Sequence, residues 1–318
     1  MRALPAKPVP SKFSEPSDWE GILVVNKSAG MTSNRVIQCL RKITGLQKMG
    51  YLGTLDPIAT GVLPICIGWA TKIIPFIPDH PKGYRAVMVL GGETDTQDAT
   101  GQIISRSQEP LPDRKRMEEV LKEFIGLQEQ VPPSFSALKY KGKPLYHWAR
   151  RGIPIVKPPR RITFDSIEVL SMEGERVAFE VFCSPGTYIR TLCHDVGDRL
   201  GCGAYLGELE RIQSGPFPLS QALTLERIQQ ASLREEIGAL KIPIDKILHH
   251  LPQIWVEGQW KEKIRQGRFL NQDPGISPWP QVEPGMPVCV KGPKDELWAI
   301  YQKEVNIKPT LKPIRVII

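Results

Sequence analysis

Unbroken apolar runs, set between glycine and proline turns, alternate along this chain with stretches of helical period. Gly21 to Val25 reads as a short strand. Thr32-Ser33-Asn34 then offers caps for a helix to about Thr44, with Val36, Ile37, Leu40 and Ile43 on one face. Val62 to Ile67 reads as a buried strand, and Thr71 to Phe76 continues as helix. Tyr84 to Leu90 and Gln102 to Ser105 are predicted to form a β-hairpin across the long loop from Gly91 to Gly101. Asp113 to Phe124 is a charged amphipathic helix. Arg161 to Leu170 and Arg176 to Cys183 alternate as strands joined at Glu173-Gly174. Gly186 to Arg190 opens a helix running through Leu200, and Leu209 falls in an apolar segment taken as helical. Thr224 to Leu240 predicts two short helices capped by Thr224 and Ser232.

From Pro243 the character changes to short strands and many prolines. Met286 to Val290 and Leu297 to Tyr301 are expected to pair around the turn Gly292-Pro293-Lys294-Asp295, with Arg315 to Ile318 as a closing strand. This is a small β-barrel pattern. A length of 318 residues predicts about two domains. The expected divisions are a flexible Pro-rich leader over 1–20, a first domain over 21–242 and a second over 243–318. No internal repeat is visible.

Composition narrows the class. With 41% hydrophobic and 24% charged residues, the chain reads as an ordinary soluble globular protein. The net charge of +8 suggests a polyanionic partner. The six cysteines form no Cys-x-x-Cys pair, so buried free thiols and a reducing, cytoplasmic setting are expected. The five histidines show no zinc-ligand spacing, so no metal is expected. The longest apolar stretch, Gly61 to Ile77, carries Lys72, Thr71 and two prolines and falls short of a membrane span. The N-terminus lacks an apolar signal core.

Chemistry concentrates between Gly53 and Pro64. Asp56 precedes a proline, which biases it toward extended geometry, and Gly53 and Gly61 permit tight turns or close ligand approach. A carboxylate on a rigid loop at the mouth of a strand is a candidate nucleophile or acid/base. The alternative is an aspartate that caps a turn. From Gln130 to Thr163 there are eight basic residues and no acidic one, with Phe135, Tyr140, Tyr146 and Trp148 interleaved. Such an arm suits a phosphate backbone, with aromatics available for base stacking; otherwise it is a solvated surface arm with its aromatics packed inward. Its candidate RNA contacts are Lys139, Lys141, Lys143, Arg150 and Arg151. Asp95 and Asp98 are too sparse for a calcium loop.

Five ordered motifs carry a resemblance. They are Asn26-Lys27 with Gly30-Met31-Thr32-Ser33, then GTLDPIATGVLPICIG, KGYRAVMVLGGETDTQDATG, FSALKYKGKPLYHWARRGI and GTYIRTLCHDVGDRLGCGAYLGELERI. The chain resembles the TruB family of tRNA pseudouridine synthases over roughly Gly21 to Phe217, and its stand-alone bacterial branch more than the guide-RNA-dependent one. The resemblance implies an α+β pseudouridine synthase fold, with a central, mainly antiparallel curved sheet flanked by helices and a PUA-like C-terminal barrel. It implies isomerisation of uridine 55 in the T loop of tRNA, without a cofactor. The protein is expected to act as a monomer with no required protein partner and no membrane.

By the same resemblance Asp56 is the nucleophile, kept charged by its arginine neighbour. Tyr84 stacks on the target base and helps the final deprotonation. Arg190 pairs with Asp56, Asp98 holds that arginine, and Tyr188 and Leu209 line the pocket. Three positions depart from the family: Tyr51-Leu52 stands for a usual His-Thr, Ser28 for a proline and Glu210 for an arginine. The first departure keeps an alternative open, a tRNA-binding or tRNA-folding protein with weak or lost catalysis. An aspartate-based glycosidase using Asp56 with Asp98 is disfavoured, because sugar hydrolysis gives no reason for the basic arm.

Overall fold

The computed structural model describes residues 20–304 and 310–318. The expected leader therefore lies, up to residue 19, outside the described residues.

The strands β1 (Gly21–Lys27), β2 (Met49–Tyr51) and β3 (Thr60–Ile67) form one side of the main sheet. The continuous apolar runs of β1 and β3 follow from burial on both faces. Leu23, Val25, Leu63 and Ile65 enter the main core, while Ile22, Val24, Val62 and Cys66 enter a second core on the opposite face. Between β1 and β2 runs α1 (Ser33–Thr44). Thr32 caps its start by accepting from the Arg35 amide at 3.1 Å, and Gly45 closes it at φ 75°. The helix predicted from Thr71 to Phe76 resolves into two short 3₁₀ turns, Gly68–Lys72 and Ile74–Phe76, because Pro75 interrupts any longer ladder.

The predicted hairpin also differs. The strand β4 (Lys82–Leu90) lies inside the main sheet, and the hairpin joins β5 (Gly92–Thr94) to β6 (Ile103–Arg106) instead. Next come α2 (Arg114–Glu123), capped by Asp113, and β7 (Gly126–Gln130) at the sheet edge. The basic arm follows, holding a small hairpin of β8 (Lys139–Tyr140) and β9 (Lys143–Pro144) and the short α3 (Leu145–Ala149). The long hairpin of β10 (Arg160–Glu173) and β11 (Arg176–Cys183) returns the chain to the sheet. Then α4 (Ile189–Leu200) ends at Gly201 in the left-handed region.

Leu209 lies in the strand β12 (Ala204–Ser214), not in a helix. Gly201 stops α4, and β12 then fills the slot between β3 and β4, a long-range pairing that no local window shows. The short β13 (Phe217–Pro218) folds back on it. The sheet order is β1-β3-β12-β4-β11-β10-β7, and every pair in it is antiparallel except β12 with β3. A register shift between Leu206 and Glu208 interrupts the β12–β4 ladder. Residues 206 and 209 would otherwise face opposite sides. The bulge turns both toward one cavity.

Of the two helices predicted after Thr224, α5 (Leu225–Leu233) is capped by Thr224 as expected. Ser232 caps nothing. It sits in the last turn of α5 and donates to the Ile43 carbonyl at 3.0 Å, pinning α5 to α1, while α6 (Ile237–Leu240) begins at Glu236 without a side-chain cap. A separate six-stranded sheet follows. It contains the expected pair, Pro287–Lys291 with Leu297–Lys303, and the closing strand spans Thr310–Val316. This C-terminal half-barrel fits a PUA-like unit. Cys289, Ile300 and Ile317 from it join the second core, so the half-barrel is docked on the β1–β3 edge. All six cysteines are free thiols, and five are buried. Among the described residues no helix is long and apolar enough to cross a membrane.

Candidate active site

The loop that carries Asp56 is held from three directions. Ser33 at the start of α1 brackets Leu55, accepting from its amide at 3.0 Å and donating to its carbonyl at 3.2 Å. Lys27, fully buried at the end of β1, donates to the carbonyls of Met31 and Ser28 and reaches that of Pro57 at 3.4 Å. Arg211, on β12 and 1% exposed, clamps the two ends of the loop together. Its Nε donates to the Val62 carbonyl at 2.7 Å and its Nη2 to the Gly53 carbonyl at 3.0 Å. Gly61 (φ 94°) lets β3 lie against Arg211, since a Cβ there would stand 2.3 Å from the Arg211 carbonyl oxygen.

Asp56 ends up half-buried, its side chain 36% exposed, with Oδ2 3.1 Å from Nη2 of Arg190. Arg190 is buried at the first turn of α4. The same Nη2 donates to the Phe135 carbonyl at 2.8 Å, and Nη1 reaches the Thr96 carbonyl at 3.4 Å and Asp98 at 4.0 Å. Asp98 is itself buried and accepts from Thr96 and from the Thr100 amide. It backs the arginine from within the protein and is not a second carboxylate facing the cavity.

A cavity of about 310 Å³ opens beside Asp56. Asp56, Tyr84, Tyr188, Arg190 and Leu209 all line it, so the structure brings together the predicted nucleophile and pocket residues, with Asp98 behind them and the five predicted RNA contacts outside the cavity. Ala137 and Leu138 of the basic arm form part of the wall. The arm is anchored there by Arg190 and by reciprocal hydrogen bonds between the Gln130 side chain and the Tyr188 backbone, at 2.8 and 3.0 Å. Lys139, Lys141, Lys143, Arg150 and Arg151 point to solvent. Tyr140 and Trp148 pack edge to face at 6.0 Å, whereas Tyr146 is exposed. The arm is thus partly self-packed and presents its charge outward.

Electrostatics run against the expectation that the arginine neighbour outweighs burial at Asp56. Burial pushes the carboxyl above the ordinary range. Arg190 pulls against it, Asp98 adds to the rise, and Lys27 opposes it more weakly. The net direction is upward. Burial pushes the Tyr84 phenol to about 12, despite the positive charge of Arg211 nearby. It also pushes Lys27 down to about 8.

Sequence reasoning gave Lys27, Ser33, Lys82 and Arg211 no role in this site, although all four stand within the motifs it singled out. The available signal was a cation at an inward strand position, where charge is rare unless something demands it. Neither Tyr51 nor Leu52 lines the cavity: Leu52 belongs to the second core and Tyr51 packs against the main one. Away from the cavity, Glu93, His194 and Asp198 bring three potential metal-ligand atoms within 4.8 Å of one another. Each carboxylate faces a different ring nitrogen of His194, at 4.0 and 3.7 Å.

The models of the TruB family pseudouridylate synthase N-terminal domain and of the tRNA pseudouridylate synthase B C-terminal domain match residues 41–189 and 190–251. The tRNA pseudouridine synthase B of Syntrophotalea carbinolica is 41% identical over 86% of this chain and 89% of its own length. That of Geobacillus thermodenitrificans is 38% identical over 93% and 99%. The chain belongs to the TruB family. Its place is therefore among the pseudouridine-forming isomerases. Solved relatives extend the likeness to the fold. A Cbf5 chain in a Cbf5-Nop10-Gar1 complex superposes with a TM-score of 0.70 at 29% identity, covering 95% of this chain and 86% of that one. The archaeal box H/ACA Nop10-Cbf5 complex gives 0.69 at 26%, covering 98% and 93%.

Proposed function

We propose that this TruB-family chain converts uridine 55 in the T loop of tRNA to pseudouridine, with Asp56 as the nucleophile on an extruded nucleotide. The observation that carries the reading is the Asp56–Arg190 pair at 3.1 Å, set in a cavity walled by Tyr84 and the basic arm. The tRNA substrate follows from the relatives named tRNA pseudouridine synthase B. In the reaction the C1′–N1 bond breaks, the base turns, and C5 bonds to C1′. N1 gains a proton and C5 loses one, so nothing is consumed and no redox or group donor is required. Extruding the base costs a few kcal/mol, and stacking on the Tyr84 ring returns about 1–3 kcal/mol. With its phenol at about 12, Tyr84 is neutral and supplies a face for the base; deprotonation of C5 by it would run against that value. Leu206 and Leu209 exclude water, and Tyr188 completes the wall. Residues 21–242 perform the chemistry, and residues 243–318 add RNA-binding surface.

The direct test is to incubate the protein with unmodified tRNA transcript and map pseudouridine chemically. Product at position 55 alone is expected. Product at another uridine, or none, would refute the assignment.

Two further outcomes follow. Replacing Lys139, Lys141 and Lys143 by alanine is expected to weaken tRNA binding and to flatten the slope of log K against log salt. The slope should fall by about 0.7–0.9 for each phosphate that the arm no longer neutralises, and an unchanged slope in a salt titration would exclude the arm from binding. The nucleophile must be ionised, so the single-turnover rate should rise with pH through the Asp56 value, which burial places above the ordinary 3.8. Stability moves the opposite way. Between 3.8 and the folded value the folded state binds more protons than the unfolded one, so this residue lowers stability as pH rises and does so fully above that window. Urea titrations of the wild type and Asp56→Asn should show the difference growing across that window.

A further inference from the structure

The reaction accounts for Asp56, Arg190 and Tyr84, yet two more buried cations line the same cavity, Lys82 at the start of β4 and Arg211 on β12. They are neighbours, since Nζ of Lys82 and Nη1 of Arg211 each stand 3.1 Å from the point a Cβ on Gly53 would occupy. Like charges held this close, out of water, repel strongly unless an anion joins them. The carboxylate paired with Lys82 is Asp79, whose side chain is 43% exposed and therefore well screened by water. Nζ also donates to Ser214 at 2.7 Å. Among the described residues this engages two of the three ammonium donors. The guanidinium of Arg211 is spent on backbone carbonyls, none of which neutralises it. The cavity lining as a whole carries three cations against two carboxylates.

We propose that Lys82, with Arg211 behind it, holds a phosphate oxygen flanking the extruded uridine. This rests on the proposed function and adds a subsite to it. A nucleotide swung out about its backbone brings its phosphates with it, within a few ångströms of the ribose that meets Asp56. The Asp56–Arg190 pair offers such a phosphate no net charge, so the register of the sugar against Asp56 depends on a cation elsewhere. A lysine ammonium suits this, as a compact point charge with a donor to spare.

The test combines a protein change with a substrate change. The RNA carries a neutral methylphosphonate in place of the phosphate 5′ or 3′ to the reacting uridine, and each RNA is measured with the wild type and with Lys82→Met. At one of the two positions the wild type should lose about 10-fold in kcat/KM, as for a lost hydrogen bond to a charged group. Lys82→Met should lose a similar factor on native RNA, and adding the methylphosphonate should lower its rate no further. Lys82→Gln, which keeps a donor for Asp79, repeats the comparison if Met impairs folding, and the wild-type measurement stands by itself. A wild type indifferent to both methylphosphonates, or losses that multiply, would overturn the phosphate assignment alone. No conversion of native RNA by the wild type would overturn the proposed function and this subsite together.

Discussion

Asp56→Asn is expected to reduce the single-turnover rate of pseudouridine formation by at least about 10⁴-fold, in line with loss of a nucleophile elsewhere, while tRNA affinity stays within about threefold. Asparagine matches aspartate in volume and still offers Arg190 an acceptor, so the loop should keep its place. What disappears is the negative oxygen proposed to attack. Binding should survive for a separate reason, because removing an anion makes the cavity more positive toward a polyanion. Rapid-quench measurement of product, with filter binding of the same RNA, checks both halves. A variant within tenfold of the wild-type rate would remove Asp56 from the chemistry. If the wild type and the variant both bind tRNA tightly and neither forms product, the non-catalytic tRNA-folding reading is favoured instead.

Elements stabilised by their own sequence were legible. The strands β1 and β3 announce themselves as unbroken apolar runs, and Thr32, Asp113 and Thr224 mark helix starts that are used. The β10–β11 hairpin shows in its alternation. Elements defined by distant partners were not. Leu209 becomes a strand residue because β12 inserts between β3 and β4, and Ser232 is committed to Ile43, 189 residues away, instead of to a cap. The site divides the same way. Gly53, Pro57 and Gly61 point to Asp56 from its own loop, whereas Arg190, Tyr84 and Leu209 were reached through the family's motifs. Lys82 and Arg211 act across the sheet, from strands far from Asp56 in sequence. Their only trace is charge at a buried strand position, and that trace names no partner. The net upward shift of Asp56 was not legible either, since the balance between burial and Arg190 depends on how deeply the loop is packed.

Arg190→Met should cost about 3–5 kcal/mol of folding stability, the range for stripping one partner from a buried charge pair, and about 10³-fold in rate, comparable to losing a fixed catalytic donor. The stability loss arises on the inner side. Asp98 is buried and would lose the cation that faces it at 4.0 Å, and the carbonyls of Phe135 and Thr96 would lose donors. The rate loss arises on the outer side. Without Arg190, the strongest influence holding Asp56 down is gone, so burial drives its value higher still and less of it is ionised at neutral pH. The hydrogen bond to Phe135 adds a third effect, because it helps seat the arm against the cavity. Arg190→Lys separates these contributions. It restores a positive charge but, as a single point donor, cannot span Asp56, Asp98 and two carbonyls at once. It should recover part of the stability, remain at least about 10²-fold slow, and shift the acid limb of the pH–rate profile upward relative to wild type. Urea denaturation and single-turnover rates across pH measure all three. If the methionine variant is as stable as wild type, Arg190 is not the keystone joining Asp56, Asp98 and the arm. If the lysine variant is fully active with an unmoved acid limb, the fork geometry of the guanidinium is irrelevant to Asp56.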